Sequence, residues 1–226
     1  RYTTRSHPFA PRTMTFLPDP SVLLSYTLAC FVLFITPGPD MSLFLAKTVQ
    51  GGRWAGIASM AGALTGACVH TLAAALGLSA IIATSATAFT VLKIFGALYL
   101  LYLAWDAWKN GSSLNIRSEL RQTLDLKKTF LLGLGVNLAN PKVILFFITF
   151  LPQFVAATDP HATGKLLFLG LYFIVFSIPL AIMMILGAER LIDALKTRPG
   201  VMRAIDYTFA GVFGAFAVTI LTTQGR

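Results

Sequence analysis

FITPGPDMSLF, residues 34–44, interrupts a stretch that otherwise reads as one apolar helix from Val22 to Val49. Thr36-Pro37-Gly38-Pro39-Asp40 places two prolines, a glycine and a carboxylate where a helix interior tolerates none of them. Proline lacks the N–H that the helix needs and clashes with the preceding turn. It suits the first position of a new helix, behind a Gly or Asn cap. The stretch therefore reads as one helix that stops and a second that starts at Pro39, with Asp40 in its first turn.

The surroundings place this break inside a membrane. The chain has 226 residues, is 56% hydrophobic and 12% charged, and has a mean hydropathy of +0.73. A soluble domain carries about twice that charged fraction. A membrane-crossing helix needs roughly 20 apolar residues. Six such runs are legible, at about 21–49, 55–83, 88–109, 129–151, 165–187 and 204–223. The net charge of +9 then reads as Lys and Arg flanking the spans. It does not read as a nucleic-acid surface, because no polar helix clusters basic residues with interleaved aromatics. Cys30 and Cys68 lie in apolar segments and offer neither a disulfide framework nor a zinc-type spacing.

Residues 1–13, RYTTRSHPFAPRT, are polar and precede Met14, so they read as a non-native or disordered extension. A removed signal peptide fits less well, since no A-x-A pattern follows the apolar run. Eleven Lys and Arg fall on one side: Lys47, Arg53, Lys109, Arg117, Arg121, Lys127, Lys128, Arg190, Lys196, Arg198 and Arg203. Lys93, Lys165 and Arg226 fall on the other, joined by Arg1, Arg5 and Arg12 if the extension is native. The bias assigns the richer side to the cytoplasm and both termini to the outside of an inner membrane.

The long polar segment 110–128 divides the spans three and three, giving a first repeat over 14–109 and a second over 129–226. Ile116, Leu120 and Leu124 in that cytoplasmic linker suit either a helix on the membrane surface or a solvated strand of chain. Three is odd, so the halves must run in opposite senses. That is the arithmetic of an inverted repeat, common in secondary transporters. The fourth run matches the first at its break: Asn140-Pro141-Lys142 repeats the order cap, proline, charge of Gly38-Pro39-Asp40. A fainter echo links KIFGALYLLYL (93–103) with YTFAGVFGAF (207–216). The expected fold is an all-α integral membrane protein of six helices in a 3+3 inverted repeat, with the first and fourth broken.

Irregular backbone at membrane depth is tolerated only against protein or a water-filled cavity. The free N–H groups at a half-helix start favour an anion, so Asp40 suits its position and Lys142 does not. Each charge also costs roughly 2.5–3.5 kcal/mol at mid-bilayer. Lys142 is thus expected to face an anion: Asp40 across the pseudo-symmetry axis, a substrate carboxylate, or each in turn. A permanent Asp40–Lys142 pair that only pins the halves is the plainer reading. Asn137, one turn before Pro141, could hold the break open or touch substrate. His70 could relay protons, with Asp40, or be a hydrogen-bonded interface histidine. Gly62 and Gly66 in GALTG read most simply as helix packing. Ser177 and Pro179 mark a kink. Trp54, Trp105 and Trp108 sit at span ends, where an interfacial belt explains them.

FITPGPDMSLFLAKTVQGGRWAGIASMAGALTG and GVNLANPKVILFFITFLPQF, with GALYLLYLAWDAW between them, resemble the LysE/RhtB family of amino-acid exporters. The resemblance covers roughly residues 20–223. It implies an inner-membrane carrier that expels amino acids by the proton-motive force, with no other cofactor. It further implies that Pro37, Gly38, Pro39, Asp40, Asn140, Pro141 and Lys142 line the translocation site. Thr36 and Asn137, beside the two breaks, are expected there with them, and the bilayer leaves room for a homo-oligomer. Many members carry Asn at the position of Asp40, which makes a proton-carrying role there less secure than a structural one. One charge of each sign fits a neutral, zwitterionic amino acid better than a dicationic one. The competing readings are an exporter of metal ions or other small solutes, for which Cys30, Cys68 and His70 supply thin material, and a nontransporting scaffold. An enzyme is not expected: His7, His70 and His161 have no partner pattern, and no phosphate-binding loop is present.

Overall fold

The computed structural model describes residues 18–78, 80–81, 85–111, 123–156, 159–188, 190–192 and 199–223. Within them the chain is helical, without strands. The amino-terminal extension and most of the linker, including Ile116 and Leu120, lie outside the described residues. The principal helices are α1 (Pro20–Ile35), α2 (Pro39–Gly51), α3 (Arg53–Ala73), α4 (Ala86–Asn110), α5 (Leu126–Leu138), α6 (Pro141–Leu145), α7 (Ala162–Leu186) and α8 (Pro199–Thr223). Wider turns extend α3 through Ala74–Leu78 and α6 through Phe146–Phe150, and a tight turn follows at Leu151–Phe154.

Three helices are each long and apolar enough to cross a membrane: Arg53–Leu78, Ala162–Leu186 and Gly200–Thr219. Two helix pairs do so when taken together, α1 with α2 and α5 with Pro141–Phe154, and each is bent by 52° at its break. The protein is therefore a multi-pass membrane protein with three to five spans on length and composition. The expected run 88–109 is occupied by α4, a 25-residue helix.

The ends follow local chemistry. Ser85 caps α4 by accepting the N–H of Ala88 (3.0 Å), and Asp125 caps α5 by accepting those of Lys127 (2.9 Å) and Lys128 (3.2 Å). Gly52 and Gly111 have positive φ, 78° and 70°, where the chain turns sharply at a helix end. α7 runs through Pro179 as one helix, as a single span over this segment requires.

Packing fixes where the two breaks meet. α3 lies against α2, α5 and α7, while α4 lies along α8. The two aromatic-glycine segments that echo each other in sequence thus pack together. α3 and α5 approach backbone to backbone, through Gly62 against the Phe130 carbonyl and Gly133 against the Ser59 carbonyl. Small residues permit that approach in a bilayer, where apolar association gains nothing over lipid. Phe146, Phe147 and Phe150 pack with Tyr26 and Phe213 into a fully buried aromatic core beside the second break. Trp54, Trp105 and Trp108 stay exposed, as residues of a membrane interface do.

Candidate functional site

Each break is closed by its own chain. Thr36 ends α1: its N–H (3.1 Å) and its hydroxyl (2.7 Å) both donate to the Val32 carbonyl. Gly38 then runs extended, at φ −171°, into Pro39, the first residue of α2. In the second half, the Asn140 N–H donates to the Asn137 carbonyl (3.0 Å), and the Asn140 side chain accepts the Lys142 N–H (3.1 Å). Asn140 is thus the cap and Pro141 the first residue of α6. A side chain at Gly38 would meet Lys142 at an ordinary 3.6 Å, so neither backbone nor space forces glycine there.

The charges then cross between the halves. Lys142 Nζ donates to the Thr36 main-chain carbonyl (2.6 Å), just beyond the carboxyl-terminal end of α1. Asn137 Nδ2, in the last turn of α5, donates to Asp40 Oδ2 (2.7 Å). The charged residue that starts the helix after one break is therefore held by the helix end that precedes the other break. Among the described residues no ion pair joins Asp40 to Lys142. The lysine that seemed to need an anion has instead the negative end of the α1 dipole and a carbonyl lone pair.

α3 positions Asn137. Its side-chain carbonyl lies against Gly66, where a Cβ would strike it, and its main-chain carbonyl faces His70 Nε2 at 3.3 Å. The His70 ring stacks on Phe147, with centroids 5.7 Å apart and planes 23° from parallel. His70 has the partner of an interface histidine. Its link to Asp40 runs through Asn137, by the main-chain carbonyl on one side and the side-chain amide on the other, rather than through a second titratable group.

Between the breaks lies a cavity of about 80 Å³, and Thr36, Gly38, Asp40, Asn137, Asn140 and Lys142 all line it. Pro37, Pro39 and Pro141 shape the backbone around the cavity without being part of its wall. His70 is also off the wall. Met41, Phe44, Phe173, Ser177 and Met184 also line it, among further apolar side chains. Of these, sequence reasoning touched only Ser177, as a kink marker. Met41 and Phe44 lie three apart on α2, a helical spacing that also describes any buried face. The site is thus a small mixed chamber: a polar cluster at the breaks and an apolar remainder. Such a mixture orients a ligand by few polar groups and covers it by apolar ones.

The family model for LysE type translocators matches residues 31–224, which include both breaks and the whole cavity. The chain belongs to the LysE family. A homoserine/homoserine lactone efflux protein of Salmonella typhimurium is 29% identical over 189 residues, 84% of this chain and 90% of that one. A leucine efflux protein of Salmonella choleraesuis is 24% identical over 200 residues, 88% and 94% of the two chains. An uncharacterized membrane protein of Bacillus subtilis, YrhP, is 33% identical over 141 residues, 59% and 67% of the two. No solved structure matches significantly. This LysE-family chain therefore has efflux proteins as its named relatives, and its centre is a chamber flanked by broken spans.

Proposed function

We propose that this protein is a secondary active exporter that moves small neutral amino acids out of the cytoplasm by proton antiport. The observation that carries the reading is the polar chamber where the two broken spans meet. Broken spans at mid-membrane are where secondary carriers hold their substrates, with alternating access around a fixed site. The efflux relatives, which act on homoserine and leucine by their names, supply the substrate class. Asp40 is the one carboxylate on the chamber wall, which matches a single ammonium and leaves nothing for a second cationic side chain. At about 80 Å³ the chamber is well below the several hundred Å³ typical of ligand pockets, so a substrate must open it further.

With α4 counted as the third crossing, the helices make six spans in a 3+3 inverted repeat. The equal 52° bends and the reciprocal holds on Asp40 and Lys142 support it. The Lys and Arg bias puts both termini outside the inner membrane. A reporter that is active only outside the cytoplasm, fused after Arg226, should give signal; a reporter that is active only inside should not. The reverse pattern would overturn the orientation.

Among the described residues no group of three His, Cys, Asp or Glu comes together to hold a metal ion, so the metal-export reading gains no support. The deciding measurement is efflux from preloaded vesicles across an amino-acid panel, with and without a protonophore. Export should occur for neutral amino acids and fall to the passive leak when the proton gradient collapses. Export that ignores the gradient would remove antiport, and export of no amino acid would remove the reading itself.

A further inference from the structure

Among the described residues four buried side-chain atoms have no hydrogen-bond partner: Asp40 Oδ1, Asn137 Oδ1, Ser177 Oγ and Gln153 Oε1. The first three belong to residues on the chamber wall, and the fourth does not. Buried polar atoms rarely stay unpaired, so three around one cavity call for an explanation. Asn137 Oδ1 has a local one, since it rests on Gly66 at the close helix crossing, a weak C–H contact. Asp40 Oδ1 and Ser177 Oγ have none.

Ser177 is the sharper case. It is 3% exposed and lies in the interior of α7. A helical hydroxyl ordinarily returns to the carbonyl one turn back. Thr27, Thr36, Thr48, Thr71 and Thr149 all do so in this protein. Ser177 does not, and its residue faces the chamber that also holds Asp40. A carboxylate oxygen can only accept, and a hydroxyl can accept as well as donate. A group that satisfies both from one small space carries several N–H donors and a positive charge. A primary ammonium is such a group. Lys142 does not supply it: its Nζ donates to the Thr36 carbonyl, and neither oxygen has a partner. An ammonium carries three donors, so that one bond leaves Lys142, the one cation on the wall, able to meet a substrate carboxylate as well.

We infer that the site recognises its substrate through the primary ammonium, held by Asp40 Oδ1 and Ser177 Oγ. Amino acids with a blocked amino group then fall outside the substrate class. The inference rests on the amino-acid-export reading and narrows it. Ser177 becomes a specificity residue rather than a kink marker.

The test uses the full chain, purified and reconstituted, with counterflow of radiolabelled leucine, methionine and serine. Each is challenged by the unlabelled parent amino acid and by its own N-acetyl derivative. The parent should compete fully, and the N-acetyl derivatives should not compete at about a hundredfold excess. Ser177→Ala should weaken amino-acid binding by roughly tenfold, the scale of one charge-assisted hydrogen bond. The same variant should melt no lower than wild type without ligand, because it removes an unpaired hydroxyl; a structural serine would lower the melting temperature instead. Counterflow of none of the three amino acids overturns the export reading and the inference with it. Counterflow that N-acetyl derivatives inhibit as well as the parent amino acids do overturns the ammonium inference alone. Unchanged affinities in Ser177→Ala remove Ser177 from it.

Discussion

Lys142→Met should abolish export while leaving the protein inserted and folded. The physical account sets two opposed effects against each other. Methionine fills a similar volume without a charge, which relieves a cost of roughly 2.5–3.5 kcal/mol on insertion scales. The substitution also strips the Thr36 carbonyl of its donor, at a cost of about 1–3 kcal/mol for a buried acceptor. These nearly cancel, so the thermal midpoint in detergent should move by only a few degrees. Export should nevertheless fall at least about a hundredfold, equivalent to roughly 2.7 kcal/mol of lost function. The bond from Lys142 is what holds the second break against the end of α1. Lys142→Arg should not restore export, since a planar five-donor fork does not replace a compact ammonium at one carbonyl. Both rates are read in the vesicle efflux assay. Export retained in Lys142→Met would reduce the lysine to a tie between the halves.

Gly62→Val has the opposite signature, a loss of the fold first and of function as a consequence. A Cβ at position 62 would run into the Phe130 main-chain carbonyl and lie 2.7 Å from the Leu134 nitrogen. Backbone cannot yield as a side-chain tip can, so α3 and α5 must part. Overpacking of this kind costs about 1–3 kcal/mol. For a chain of this length that lowers the melting temperature by roughly 3–10 °C. Because α5 carries Asn137, the hold on Asp40 loosens with it and export falls as well. Gly135→Ala is the internal control: it lies on α5, the other helix of that crossing, but a Cβ there meets nothing within 4 Å. Alanine at that site should be neutral or stabilising by up to about 1 kcal/mol, on helix propensity alone. Equal melting temperatures for wild type and Gly62→Val would show that the close crossing does not hold the helices together.

What could be read in advance was whatever local chemistry decides. Pro39 and Pro141 each open a helix because proline at a first helical position has no alternative partner to find. The GALTG face packs because its glycines leave room for a neighbouring backbone. The pairing of charges was not legible in the same way. Asp40 and Lys142 invite each other as letters of opposite sign, yet the folded chain gives one a carboxamide and the other a peptide carbonyl. Ser177 was likewise visible only as a residue near a proline. Whether its hydroxyl turns back on the helix or stays unpaired depends on neighbours from α2 and α5, which no local pattern encodes.

The hold on Lys142 has an asymmetry of inheritance. Its acceptor is a peptide carbonyl, which every amino acid at position 36 would supply. Codon 36 can therefore drift while the acceptor persists, whereas a single change at codon 142 removes the donor. Positions that grip each other through side chains can show it by changing together. This pair cannot, and a side-chain scan along the first break would pass over the partner of Lys142 without a signal.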